Sequence, residues 1–588
     1  MINRLQAAKW IIPAWLLLVA IFLSITAYYI VFHHVAPLSR DQWHMYHMLF
    51  EQGLWRTSIT TVSGHRHILA FLLYDIDLNF FNGNNHFLIA FDWLLNISLI
   101  ALLCSQIRAC ISDKFSRLWL IGWTIVLLCW LLNIALLGWG FNGINNYMSI
   151  LNTVLSIFFL YRAVHVTQHK TFHTIIAVLL GGLATLSFGN GILVWPIGLL
   201  SLYFWRAPLR FSSYFALGVL VFFALYLLLP GGGAVSETLR FNGWTIVSFP
   251  LELMGGPLYH LLRAWKILPE AALSPLATGF GVLVCLLAAL ALWQRLQQRL
   301  AIDKPVKTDA LDALAITLIL IGFGTTFLLT LTRVEGVLDP AVDRFQIWAL
   351  LVWWGVSVLL YRAMTPSGQR GWQLLFLVFP LLALPAQLDW GARLAEYRTR
   401  VDNALLAYQV YLPVADDAEK ALHWNWQNKL PDLFPVLKNL RTSHRNIFTN
   451  GAADWLGKTL PATADLPGCQ WGLVKQEAIV ANDLLNVAPI AGAEPYVVTA
   501  TSAEQPLGQR FYANVGELEW SAGLIADSNG IVRGLMQPVR NSSLPRFKRL
   551  IDDGYNNNYN AYGITRLDQP VVQILLLKHD QPLCRVSL

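Results

Sequence analysis

The densest set of groups able to do acid–base or phosphate chemistry lies in residues 33–86, in a chain otherwise poor in charge. Asp41 stands in RDQWH beside Arg40, His44 and His47 follow it at helical spacing, and Glu51 comes about a turn later. His65, Arg66 and His67 open a second amphipathic run that contains Asp75 and Asp77. A carboxylate within hydrogen-bond reach of a hydroxyl can take its proton during attack on a carbon centre, typically contributing about 10²- to 10⁴-fold. Arginine forks match phosphate oxygens, and imidazoles supply further donors. Taken singly, each His is better explained as part of the solvated face of an interfacial helix. Taken together beside a bilayer, carboxylate, imidazoles and guanidinium point to function.

Other polar groups recur at the ends of apolar runs. The stretch GWGFNGINNY (138–147) offers Asn142, Asn145 and Asn146 and reads as a turn, where Asn and Gly need no further reason. Ser187, Asn190 and Trp195 mark a broken junction, LSFGNGILVWP. Arg333, Glu335, Asp339, Asp343 and Arg344 precede a late apolar run, and Arg263 and Lys266 border the stretch 244–266.

The elements that must position these residues follow from composition. Hydrophobic residues make up 56% of the 588 and charged residues 13%, about half the usual charged fraction of a soluble protein. That excludes a cytosolic enzyme, a disordered chain and a disulfide scaffold. The 24 Trp and 19 Tyr suit aromatic belts at two membrane interfaces. The net charge of +7 is accounted for by cytoplasmic loops and calls for no nucleic acid.

Apolar runs long enough to cross hydrocarbon predict eleven spans, at 11–32, 87–107, 118–138, 147–166, 173–189, 191–206, 212–230, 275–294, 311–332, 345–362 and 372–392. Cations at Arg4, Lys9, Arg108, Lys114, Arg117, Arg162, Lys170, Arg206, Arg210, Arg295, Arg299, Lys304, Lys307, Arg362 and Arg370 then share one side. This predicts a cytoplasmic N-terminus and an exterior tail. The stretch 244–266, with Pro250, Pro257 and Gly255-Gly256, reads as a helix lying at the outer interface or re-entering it.

The expected domains are 1–395, a membrane domain with 33–86 as its long first exterior loop, and 396–588. In the latter, 396–450 reads as short helices, and from about 470 alternating runs such as EPYVVTATSA and QPVVQILLLKHD read as strands. The fold class is therefore mainly α, a polytopic helical domain followed by a small exterior α+β or β-sandwich domain. Cys469 and Cys584 are the two cysteines of the tail and bracket its β region, so an oxidising compartment would let them pair. The signatures CxxC, HExxH, GxSxG and the P-loop are absent from the sequence.

Asp41 in RDQWH directly after the first span, the SGHRH stretch, the junction GNGILVWP and the DRF before a late span together resemble the GT-C glycosyltransferases. The resemblance covers about 1–395. It implies a bacterial inner-membrane enzyme that takes a sugar from a polyprenyl-phosphate donor to a glycan, lipid or protein acceptor on the periplasmic face, by inversion. It assigns Asp41 as base. The donor phosphate would meet Arg66, His65, His67, Arg333 and Arg344, and Arg40, His44, Glu51, Asn145, Asn190, Arg263, Lys266 and Asp343 would line the substrate site. The residues single out no cofactor, and a divalent metal is the alternative to fixed cations for meeting the phosphate charge. Many members carry two adjacent acids where this chain has Asp41-Gln42, which argues against a divalent metal held by neighbouring carboxylates. The rival readings are an O-antigen polymerase or ligase, a lipid or glycan transporter, and a non-catalytic binding protein.

Overall fold

A computed structural model describes the chain except residues 1, 63–64, 167, 230–243, 301–308, 334–341, 365, 416–425, 462–465, 486–493, 497–499, 517, 540–558, 567–570 and 588. The protein is mostly helical, with a small antiparallel sheet towards its C-terminal end. It divides into two compact units: one of residues 1–31, 58–73 and 88–391, the other of 32–57, 74–87 and 392–588. Two lengths of the first loop, which the sequence assigns to 1–395, thus group with the tail.

The first unit contains most of the long apolar helices. They include α1 (Ile2–His33), α4 (His86–Cys110), α5 (Lys114–Leu128) and, after a short α6 (Ile134–Leu137), α7 (Gly140–His165), α8 (Lys170–Ser187) and α9 (Val194–Phe204). Next come α10 (Leu209–Leu228), α11 (Thr245–Trp265), α12 (Glu270–Leu300), α13 (Ala310–Arg333), α14 (Gln346–Ala363) and α15 (Pro366–Gln409). Among the described residues ten helices are long and apolar enough to cross a membrane. Their outward faces are apolar too: Leu220 is 68% exposed and Leu286 62%. Such surfaces suit lipid rather than water.

Three expectations change. The run 191–206 is not a full span, because a 3₁₀ turn at Gly189–Leu193 leaves only Val194–Phe204 as α-helix. The stretch 138–147 is not a turn, since α7 begins at Gly140. Asn145 and Asn146 fit inside it by donating to the carbonyls four residues back, Phe141 and Asn142. The last run does not stop at 392; α15 continues to Gln409, supported by the i,i+4 pairs Arg398–Asp402 and Arg400–Glu396. The stretch 244–266 is helical as expected, over Thr245–Trp265, and its glycines serve packing. A Cβ on Gly255 would strike the Ala277 carbonyl, and one on Gly281 the Leu251 carbonyl, so α11 and α12 meet backbone to backbone.

Buried polar bonds fix the interior. Trp354 on α14 donates to Thr124 on α5 at 2.8 Å and Tyr361 donates to Ser116 at 2.7 Å. At the end of α14, Arg362 bridges Asp309 and Asp312, and Asp312 also pairs with Arg295 of α12.

In the second unit, α2 (Gln42–Ile59) and α3 (Ile68–Phe80) contribute most of their lengths, and the tail adds α16 (Trp426–Thr442). After the two-residue strands β1 (Thr61–Val62) and β2 (His65–Arg66) of the first unit, seven strands follow in the tail: β3 (Trp471–Val480), β4 (Pro506–Val515), β5 (Ala522–Asp527), β6 (Val532–Pro538), β7 (Ala561–Arg566), β8 (Val571–Lys578) and β9 (Gln581–Ser587). They form one antiparallel sheet in the order β3-β4-β7-β6-β5-β8-β9, so the expected tail is α+β and not a two-sheet sandwich. Every residue of β5 is buried, which is why its sequence shows no alternation. Cys469 and Cys584 are disulfide-bonded, with Cα atoms 5.4 Å apart. Just before β3, the main chain at Pro467–Cys469 exchanges hydrogen bonds with Arg585 of β9. The two edge strands of the sheet are thereby tied together at one end.

Candidate functional site

Asp41 sits at the start of α2, where Arg40 turns the chain through a left-handed backbone conformation, φ 56°. A non-glycine residue in that region costs of order 1 kcal/mol and tends to be kept where geometry matters. The Asp41 carbonyl accepts from Met45 N at 3.1 Å, opening the helix, while its side chain is exposed and has no hydrogen-bond or ion-pair partner among the described residues. Arg40 Nε donates to the Tyr397 hydroxyl at 3.3 Å, and its guanidinium lies 5.0 Å from that ring's centre.

A buried polar frame holds this turn. Gln42 donates to Asn85 Oδ1 at 2.7 Å and accepts from Ser39 N at 3.1 Å. Asn85 donates from Nδ2 to the Pro37 carbonyl, and from its main chain at 3.3 Å to Asp77 Oδ2. Tyr46 donates to the same oxygen at 3.3 Å, and Oδ1 of Asp77 has no partner among the described residues. Burial pushes the Asp77 carboxyl up to about 7, against the smaller opposing pull of the Asn85 and Tyr46 hydrogen bonds.

One turn beyond Asp41, His44 and His47 share a face of α2 and meet Asp432 of α16. His44 Nδ1 is 3.0 Å from Asp432 Oδ2, and His47 Nε2 is 3.7 Å from Asp432 Oδ1 and 3.5 Å from Glu51 Oε2. Nδ1 of His47 is buried with no partner among the described residues. Sequence reasoning missed Asp432, and no local signal could have found it. The second unit also has a polar recess of about 600 Å³, lined in part by Glu477, Asn482, Asp483 and Arg510. Among the described residues no group of three or more His, Cys, Asp and Glu side chains is placed to hold a metal ion.

In the first unit, His67 and Asn145 come together at 3.0 Å. Because Asn145 Nδ2 already donates to the Phe141 carbonyl, its oxygen faces the ring. The proton in that bond therefore belongs to His67 Nδ1. Arg66 departs from expectation. It is 1% exposed and donates from Nε to the Tyr226 carbonyl at 3.0 Å, from Nη2 to the Leu229 carbonyl at 2.6 Å, and from Nη1 to the Ile59 carbonyl. Its guanidinium also stacks on Tyr226. A fork engaged in this way closes the end of α10 instead of standing open for a phosphate. Arg66→Lys should therefore lower the thermal midpoint, because one ammonium cannot reproduce three in-plane donors. Donor binding by the folded fraction should stay as in the parent, as a ligand titration would show.

The remaining positions are scattered. Asn190 accepts from Ser149 at 2.8 Å and donates to Thr325 at 3.3 Å, a packing role. Asp343 accepts from Arg344 N at 2.8 Å at the lead into α14, and the Arg344 guanidinium lies 5.0 Å from the Phe345 ring centre. Arg263 and Lys266 end α11, the Lys266 N–H donating to the Arg263 carbonyl. His65 lies in a two-residue strand paired with Val62, and Arg333 ends α13; their side chains, with Glu335 and Asp339, lie outside the described residues. Compared with protein families, with curated proteins and with solved structures, the chain matches none.

Proposed function

We propose that the protein is a membrane glycosyltransferase of GT-C type. It would move a sugar from a polyprenyl-phosphate donor to an envelope glycan, lipid or protein on the periplasmic side of a bacterial inner membrane. The observation that carries this reading is Asp41: an exposed carboxylate with no side-chain partner among the described residues, presented by a left-handed turn soon after the first apolar helix. In the proposed step the acceptor hydroxyl attacks the anomeric carbon as its proton passes to Asp41. The bond from that carbon to the phosphate oxygen breaks, and the electron pair leaves with the phosphate. Arg40, next in the chain, is proposed to meet the charge that grows there. The apolar helices suit the bilayer in which such a donor dissolves.

Mass analysis of envelope glycans and glycoproteins in a strain lacking the gene tests this. The expected result is loss of one sugar mass, restored by the parent sequence; an unchanged envelope would count against transfer. A transporter is the second reading, favoured by one observation: Asp92, a carboxyl wholly buried within a candidate span.

A further inference from the structure

The chain between α5 and α7 is unwound for much of its length yet wholly buried. Cys129 and Trp130 leave the helical conformation, Leu131–Asn133 form a 3₁₀ turn, α6 lasts four residues, and Gly138-Trp139 break the chain again. Irregular backbone among apolar spans is tolerated where it lines a site or is satisfied by neighbouring protein. Here some of it is satisfied by α4: Trp93 donates to the Leu137 carbonyl at 3.3 Å and Asn96 to the Leu128 carbonyl at 3.1 Å. Next to Trp93 on the same helix stands a group with the opposite need.

Asp92 is 0% exposed, and neither carboxyl oxygen has a hydrogen-bond partner among the described residues. Its Oδ2 and the Leu136 carbonyl both crowd the point where a Cβ on Gly143 would stand. Glycine at 143 is what lets the carboxyl reach the unwound segment. One turn further along α7 the Tyr147 hydroxyl is wholly buried and unpartnered among the described residues, as is Asn96 Oδ1 one turn along α4. The titratable neighbours are Tyr147 and, beside it, Cys129. No cationic side chain among the described residues acts on Asp92.

We propose that Asp92, with Tyr147, Asn96 and the Leu136 carbonyl, binds a small monovalent cation inside the helical unit. The donor set is oxygen throughout, with one negative charge, which matches one positive charge from a proton or a sodium ion. A divalent ion would leave a surplus charge in an apolar surrounding, the costlier outcome. Half-unwound helices facing an intramembrane carboxylate are a recurring way to hold such ions. The proposal stands independently of the glycosyltransferase reading, because it concerns residues the transfer step does not use.

The test is thermal unfolding of the full-length chain in lipid nanodiscs, in an Asp77→Asn background so that this second buried carboxyl does not contribute to pH dependence. Sodium chloride is compared with choline chloride at equal ionic strength, and pH is scanned from 5 to 9. Sodium binding predicts a midpoint that rises with sodium and not with choline. Proton binding predicts no sodium effect and a midpoint that rises as pH falls. In either case Asp92→Asn should lose the dependence, and Tyr147→Phe should shift the half-effect concentration several-fold. The proposal is overturned if neither sodium nor pH acts through Asp92, that is, if the parent and Asp92→Asn respond identically to both. Should Asp92→Asn fail to fold, an unmoved half-effect concentration in Tyr147→Phe overturns it instead.

Discussion

Asp41→Asn is expected to cut sugar transfer by about 10²- to 10⁴-fold, the usual contribution of a positioned general base. The amide has the shape of the carboxylate but cannot take the acceptor's proton. Because the Asp41 side chain is exposed and makes no bond that the fold depends on among the described residues, the variant should melt with the parent. Donor affinity should also hold, so the loss belongs in kcat rather than KM. Initial rates with a polyprenyl-phosphate sugar, alongside a melting curve, separate these effects. Parent-like turnover would remove Asp41 from the mechanism.

The second large effect concerns pH. Asp77 titrates near 7 in the folded protein, raised from 3.8 by burial. Between those values the folded state keeps a proton that the unfolded chain has lost, so stability falls as pH rises. The contribution is fully favourable below about 4, declines through the window from 4 to 7, and levels off above it. At about 1.4 kcal/mol per unit, the loss is on the order of 4 kcal/mol. Asp77→Asn keeps an acceptor for Tyr46 and for the Asn85 N–H but has nothing to ionise. It should match the parent at low pH, exceed it at pH 8, and flatten the slope of denaturant-derived stability. An identical slope in the two proteins would show that Asp77 is ionised as an ordinary surface carboxylate.

The placing of Asp41 soon after an apolar run is a local property that the sequence displays, whereas its role is the proposal made above. The ten apolar helices were legible because length and hydropathy are local properties. What holds the turn around Asp41 was not. Asp432 reaches His44 across 388 positions, and no spacing rule relates residues so far apart. Arg66 looked like a phosphate ligand because sequence reports residue type and not what a side chain spends its donors on. The start of α7 at Gly140 hid behind Asn and Gly, which favour turns in isolation, but here Asn145 and Asn146 bond back along the helix. The continuation of α15 was masked by its change of composition near 395, since charge rises while the helix runs on to Gln409.

The bond between Cys469 and Cys584 has a consequence for the order of biogenesis. The two residues are 115 positions apart, so at about 5–20 residues per second Cys469 is made on the order of 6 to 20 seconds before its partner. During that interval the sheet lacks its last strand, and the thiol is open to a foreign disulfide. The remaining cysteines, Cys104, Cys110, Cys129 and Cys285, all belong to the helical unit, so the tail admits a single internal pairing. The bond can close only once β9, the strand that carries Cys584, has been made.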